Sequence, residues 1–278
     1  MTRDVLIQAA YLVASALFIF GLRGLTSPAT ARRGMGLAAL GMLVAVAGTL
    51  LHYGLSYEWI VVGIVIGSLI GAPMAIFMPM TAVPQRTAIS HAFGALAVTL
   101  VGVSEYYLYS NGLKTVKLND NVLMAALGFE VMFGSLTITG SLMAFGKLQG
   151  LVRSAPMIYP FQNFSNIALC LATFGVFVYL IVQPAADPVF FYTMVGMGVL
   201  FGVLFVMPIG GSDMPVVISL LNSYAGLAAA ATGFAIGNNV LIIAGALDGA
   251  SGFFLSILMS KAMNRSFTNV LFGAFGSA

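Results

Sequence analysis

The chain has 278 residues, of which 60% are apolar and only 7% charged, with a mean hydropathy of +1.04. Soluble proteins carry roughly 25% charged residues, so these figures exclude a water-soluble domain and a disordered chain. A net charge of +3 over this length makes no patch for nucleic acid, and the single Cys170 excludes an intrachain disulfide or a cysteine-built metal site.

Nine apolar runs of about 20 residues follow one another, each long enough to cross roughly 30 Å of hydrocarbon. They are Val5 to Leu22, Met35 to Leu51, Trp59 to Met78, Ala88 to Leu108, Val122 to Phe145, Asn166 to Val182, Val189 to Met207, Pro215 to Ile236 and Val240 to Met259. The first exceeds the roughly 7 to 15 residues of a signal-peptide core, and Asp4 offsets Arg3, so it reads as a membrane helix. The expected fold is an all-α integral membrane bundle of about nine transmembrane helices.

Basic residues orient it. Arg23, Arg32, Arg33, Arg86, Lys147, Arg153, Lys261 and Arg265 fall on one side, against Arg3, Lys114 and Lys117 on the other. Eight against three predicts the N-terminus outside and the C-terminus in the cytoplasm. Gly63, Gly67 and Gly71 in the third run, and Gly245 and Gly249 in the ninth, recur at four-residue spacing and read as helix-packing seams. No convincing internal repeat supports an inverted-repeat transporter.

Polar side chains inside hydrocarbon cost a few kcal/mol and are functional candidates by default. Four runs carry one: His91, Glu130, Asn222 and Asp248. At helical steps His91 shares its face with Gly94, Gly102 and Glu105, and Glu130 with Gly134, Thr137 and Ser141. Asn222 lines up with Ser219, Gly226 and Gly233, and Asp248 with Gly245, Ser251 and Gly252. Such small-and-polar stripes, turned toward one another, predict an internal proton or ion path in which Ser251 and Ser256 are further polar members. Histidine, with an unperturbed pKa of about 6.5, is the first choice for the proton; the plainer reading of His91 is a hydrogen bond between helices. Asn222 can hold a water chain, bond His91, or simply glue two helices. Glu130 and Asp248 form a gate or satisfy each other or a serine. Glu105 and His52 fall near run ends, at the interface. In GGSDMP, residues 210 to 215, Ser212 or Asp213 can cap the eighth helix. There is no G-x-G-x-x-G after a strand, no Walker lysine and no H-E-x-x-H.

Several stretches resemble the membrane part of the beta subunit of proton-translocating nicotinamide nucleotide transhydrogenase: AAYLVASALFIFGLRGL near the start, ISHAFGALA around His91, TGSLMAFGKLQG from Thr139, GGSDMPVVISLLNSYAG from Gly210 and SKAMNRSF from Ser260. The resemblance implies a proton-conducting part, residues 1–260, of an oxidoreductase and translocase that couples hydride transfer between NADH and NADP to proton movement. NAD and NADP are then held in extramembrane domains, with no cofactor, nucleotide site, metal or hydride transfer in this chain alone. It implies roles for His91 and Asn222 in the proton path, and for Asp213 and Arg265 in coupling to an NADP-binding domain, toward which residues 261–278 begin a linker. It also implies an alpha-subunit partner, a homodimer of the complex and the inner membrane of a bacterium. Two departures stand out. Gly249, Ala250, Ser251, Gly252 replaces a Gly-Ser-Ser-Gly run, and Glu130 and Asp248 lack acidic counterparts, which suggests that they pair locally. The rival classes are a proton-coupled secondary transporter, expected to show substrate-dependent flux, and a non-conducting assembly scaffold.

Overall fold

A computed structural model describes residues 3–52, 54–113 and 118–272. Lys114 and Lys117 of the charge count, and residues 273–278 of the expected linker, lie outside the described residues. Among those described there is no strand, and nine helices are long and apolar enough to cross a membrane. They are α1 (Arg3–Gly24), α2 (Pro28–Leu50), α3 (Tyr57–Phe77), α4 (Val83–Ser110), α5 (Asp120–Leu148), α6 (Gln162–Val182), α7 (Pro188–Val206), α8 (Met214–Ile236) and α9 (Asn239–Ala262). A short α10 (Phe267–Phe272) follows where only a linker was expected.

Helix ends depart from the apolar runs where polar residues still favour helix. α2 starts at Pro28, seven residues before its apolar run, because Pro at N1 is preorganised for helix and Ser27 before it is extended. The Asn119, Asp187 and Asn238 side chains each accept a backbone N–H at the start of α5, α7 and α9.

The chain divides into two compact units, Met1–Pro79 and Met80–Ala278. In the first, α1 and α2 pack tightly: a Cβ built on Gly34 would meet the Gly24 backbone at 2.9 Å. The Tyr11 hydroxyl lies 3.0 Å from Thr49 Oγ1 and 3.2 Å from His52 Nε2, which assigns His52 to that helix pair. No residue of α3 is buried, and Gly63, Gly67 and Gly71 have nothing within 4 Å. Within its own unit, the expected seam in α3 is therefore not used.

In the second unit α5 is central, packing on α4, α6, α7 and α8, while α9 lies along α8. Two apolar clusters hold this unit. One gathers Val206, Met214, Val217 and Leu221 with Ala88 and Ala144. The other gathers Tyr106, Leu127, Val131, Phe191 and Met194, with the Tyr106 and Phe191 rings stacked at 3.7 Å. Outward residues such as Phe164, Leu171, Val189 and Phe254 are exposed and apolar, which suits hydrocarbon rather than water.

Candidate functional site

The last turn of a helix leaves carbonyl oxygens without partners, and a cation placed there both bonds them and complements the helix dipole. At the end of α7 that cation is Lys147, from α5. Its ammonium donates to the carbonyls of Met207 at 2.5 Å, Ile209 at 2.7 Å and Val206 at 3.2 Å, and the residue is only 1% exposed. Ser154 Oγ donates to the Lys147 carbonyl at 2.8 Å, and the Gly211 N–H to the Ser154 carbonyl at 2.8 Å. The end of α5, the loop after it and the Gly210–Asp213 turn are thus one bonded assembly. A cavity of about 430 Å³ opens beside it, lined by Lys147, Ser154, Pro156, Gly210, Gly211 and Ser212. Lys147, by sequence one of the eight cytoplasmic-side charges, is thus a buried donor to the end of α7.

That assembly presents Asp213 at the start of α8. Its side chain makes no capping bond to the helix; its carboxylate instead meets Arg265 Nε at 3.4 Å. Arg265 is brought back by the end of α9. Asn264 adopts a left-handed conformation, φ 54°, a geometry asparagine tolerates, and the Arg265 N–H bonds the Ser260 carbonyl at 2.9 Å. The two residues expected to couple to another domain therefore touch. Their side chains are 19% and 58% exposed, so solvent screens the pair. A double-mutant cycle on Asp213→Asn and Arg265→Gln, read by thermal unfolding, is expected to give a coupling below about 1 kcal/mol. A larger value would mean that the pair is a structural lock.

Eight residues into α8, Asn222 Nδ2 donates to Asp248 Oδ1 of α9 at 3.1 Å. The crossing of α8 and α9 makes this possible. A Cβ on Gly226 would lie 2.8 Å from Gly249 Cα and 2.9 Å from the Gly245 carbonyl oxygen, so the two backbones touch. Ser223 Oγ adds a bond to the Gly249 carbonyl at 2.7 Å. Gly252 leaves room for the amide: a Cβ there would stand 2.8 Å from Asn222 Nδ2. Gly245 and Gly249 are the seam the sequence predicted. Ser251 and Ser256 return their hydroxyls to their own helix, at the carbonyls of Asp248 and Phe253. Asp248 is exposed at the edge of the described chain rather than inside it.

The polar residues do not form one cluster. His91 is half-buried on α4, and its Nδ1 has no hydrogen-bond partner; Asn222 bonds Asp248 and not His91. Glu130 on α5 is fully buried and neither carboxyl oxygen has a partner, so the suggested Glu130–Asp248 pair does not form. The reason is topological: α9 lies along α8, while α5 approaches α8 from its own face. Among the described residues no three His, Cys, Asp or Glu side chains gather to hold a metal ion. The titratable ones of these polar residues, His91, Glu130 and Asp248, stand on separate helices, α4, α5 and α9.

Comparison with known proteins adds a family. The profile of the family described as NAD(P) transhydrogenase beta subunit matches residues 7–278. Two relatives from Rhodospirillum rubrum, one of them from a named strain and both called NAD(P) transhydrogenase subunit beta, are 43% identical over 276 residues. The alignment covers 98% of this chain and 59% of each relative, so the chain spans little more than half the length of the proteins it matches.

Proposed function

The chain belongs to the NAD(P) transhydrogenase beta subunit family, and from that premise we propose that it is the proton-conducting membrane part of a transhydrogenase, coupling proton translocation to hydride transfer between NADH and NADP. The observation that carries this reading is the placement of two sites on one helix. Asp213, paired with Arg265, occupies the N-cap position of α8, and nine residues further, about 14 Å along the axis, the helix holds Asn222 against Asp248.

In this reading the membrane part is residues 1–260, the N-terminus is outside and the Asp213 end faces the cytoplasm of a bacterium. NADP and NAD are bound outside this bundle, the NADP domain following the segment that starts at residue 261. An alpha subunit is the partner, and two complexes form a dimer. The proton moves through His91, which lies eight residues into α4, the same distance as Asn222 into α8. Gln85 of α4 bonds the end of α5 at Leu148, so both distances are measured from the same end of the bundle. The unpartnered Nδ1 of His91 accepts a proton, and the Asn222–Asp248 pair carries it on from α8 to α9. Glu130, Ser251 and Ser256 extend the polar path.

Coupling follows from linkage. Movement of α8 changes the Asp213–Arg265 contact and the Asn222–Asp248 contact together, so protonation of His91 and NADP occupancy bias one another. A membrane potential supplies about 2.3 kcal/mol per charge per 100 mV, enough to tilt a nearly balanced hydride exchange.

The test uses the complete complex in sealed vesicles. An imposed proton gradient should accelerate hydride transfer from NADH to NADP in one direction, and a proton carrier should abolish the acceleration. A rate indifferent to the gradient would overturn the reading.

A further inference from the structure

Glu130 lies ten residues into α5 and is 0% exposed, with both carboxyl oxygens unpartnered among the described residues. Two helices, α4 and α8, close on it. A Cβ on Gly102 of α4 would fall 2.9 Å from its Cδ and 2.9 Å from its Oε1, so the carboxyl as placed occupies the space that glycine leaves. Thr232 of α8 faces it, but the Thr232 hydroxyl already gives its hydrogen to the Ala228 carbonyl at 3.0 Å. Thr232 can then only accept from Glu130. Glu105 lies three residues along α4 from Gly102. Neither carboxyl oxygen has a hydrogen-bond partner, so a carboxylate in this place would be a charge cut off from water and from donors.

The depth of this site is distinct. Thr232 lies 18 residues into α8 and Asn222 eight, a separation of about 15 Å along the axis. On α4, Gly102 lies 19 residues from the start and His91 eight, which gives about the same separation. Glu130 therefore sits in the half of the bundle remote from Asp213, where His91 and Asn222 do not reach.

We propose that Glu130, with Gly102 and Thr232, forms a second proton-binding site serving the far half of the path, its ligand a proton delivered and removed through water. This rests on the proton-conducting reading above. The exchange breaks one O–H bond of the acid and makes one on water, leaving carboxylate and hydronium; a hydronium from the other side restores the acid and leaves water. Gly102 is the spacer that admits the carboxyl, and Thr232 is the polar side chain of α8 that faces it.

The test is Glu130→Gln in the complete complex reconstituted in vesicles, with wild type beside it. Protons pumped per hydride transferred should fall at least roughly tenfold while hydride transfer between bound nucleotides persists. Infrared difference spectra taken during turnover should show a carboxylic-acid carbonyl band in wild type that is missing in Glu130→Gln and shifted in Gly102→Ala. Wild-type pumping kept by Glu130→Gln would overturn this site and leave the transhydrogenase reading standing. A wild-type complex that pumps nothing would overturn both. Should Glu130→Gln not assemble, Thr232→Val replaces it: a shifted acid band with reduced pumping supports the site, and an unchanged band and stoichiometry overturn it.

Discussion

Lys147→Met is expected to lower the stability of the Met80–Ala278 unit by at least about 3 kcal/mol, because three carbonyls lose a charged donor where water does not reach. Methionine nearly matches the lysine stem in length, so packing along that stem is largely kept and the loss isolates the ammonium. Relief from solvent is small, since Lys147 is 1% exposed. Thermal unfolding of the purified protein in detergent measures the effect. Lys147→Arg should recover only part of it, because a planar fork cannot reach three carbonyls converging on one point. A Lys147→Met protein as stable as wild type would mean that the carbonyls of Val206, Met207 and Ile209 find other donors, and that the turn leading to Asp213 is held by something else.

The second large effect is expected at the α8–α9 crossing. Gly226→Ala places a methyl group within 2.8 Å of Gly249 Cα and 2.9 Å of the Gly245 carbonyl oxygen, both backbone atoms that cannot swing away. The helices must part by about 1 Å, at a cost in the upper part of the 1 to 3 kcal/mol range for overpacking. Parting them also lengthens the Asn222–Asp248 bond, now 3.1 Å, and the Ser223–Gly249 bond, now 2.7 Å. The variant should therefore lose both stability and coupled activity. Gly94→Ala is the matched control: nothing stands within 4 Å of the Cβ there, and alanine favours helix by about 1 kcal/mol. Equal stability losses in the two variants, by the same unfolding assay, would show that the crossing is not close.

These cases also mark where the sequence was readable. Nine membrane-length helices follow from hydrocarbon thickness alone, and the described residues form nine. The start of α2 was not readable by hydropathy, since Arg32 and Arg33 interrupt the apolar pattern while the Ser27–Pro28 start sets the helix earlier. Gly245 and Gly249 were legible as a seam, yet the same spacing at Gly63, Gly67 and Gly71 touches nothing. Spacing shows that a face is small and does not say what lies against it. Asn222 and Asp248 were both singled out as intramembrane polar groups. Their pairing depended on which helices adjoin, and so did the failure of Glu130 to meet Asp248. Lys147 escaped notice for the same reason. Its partners are roughly 60 residues away at the end of α7, and a lysine just after an apolar run looks like a loop charge.

The proton path through His91 is the central claim, and it is tested by measuring proton pumping in vesicles that contain the complete complex. NADPH reduces an NAD analogue while an internal pH dye reports proton movement, for wild type and for His91→Ala shown to be folded and assembled. The account predicts that His91→Ala loses pumping, because it removes the imidazole that stands as far into α4 as Asn222 stands into α8. Pumping at the wild-type stoichiometry would contradict it and remove His91 from the proton path.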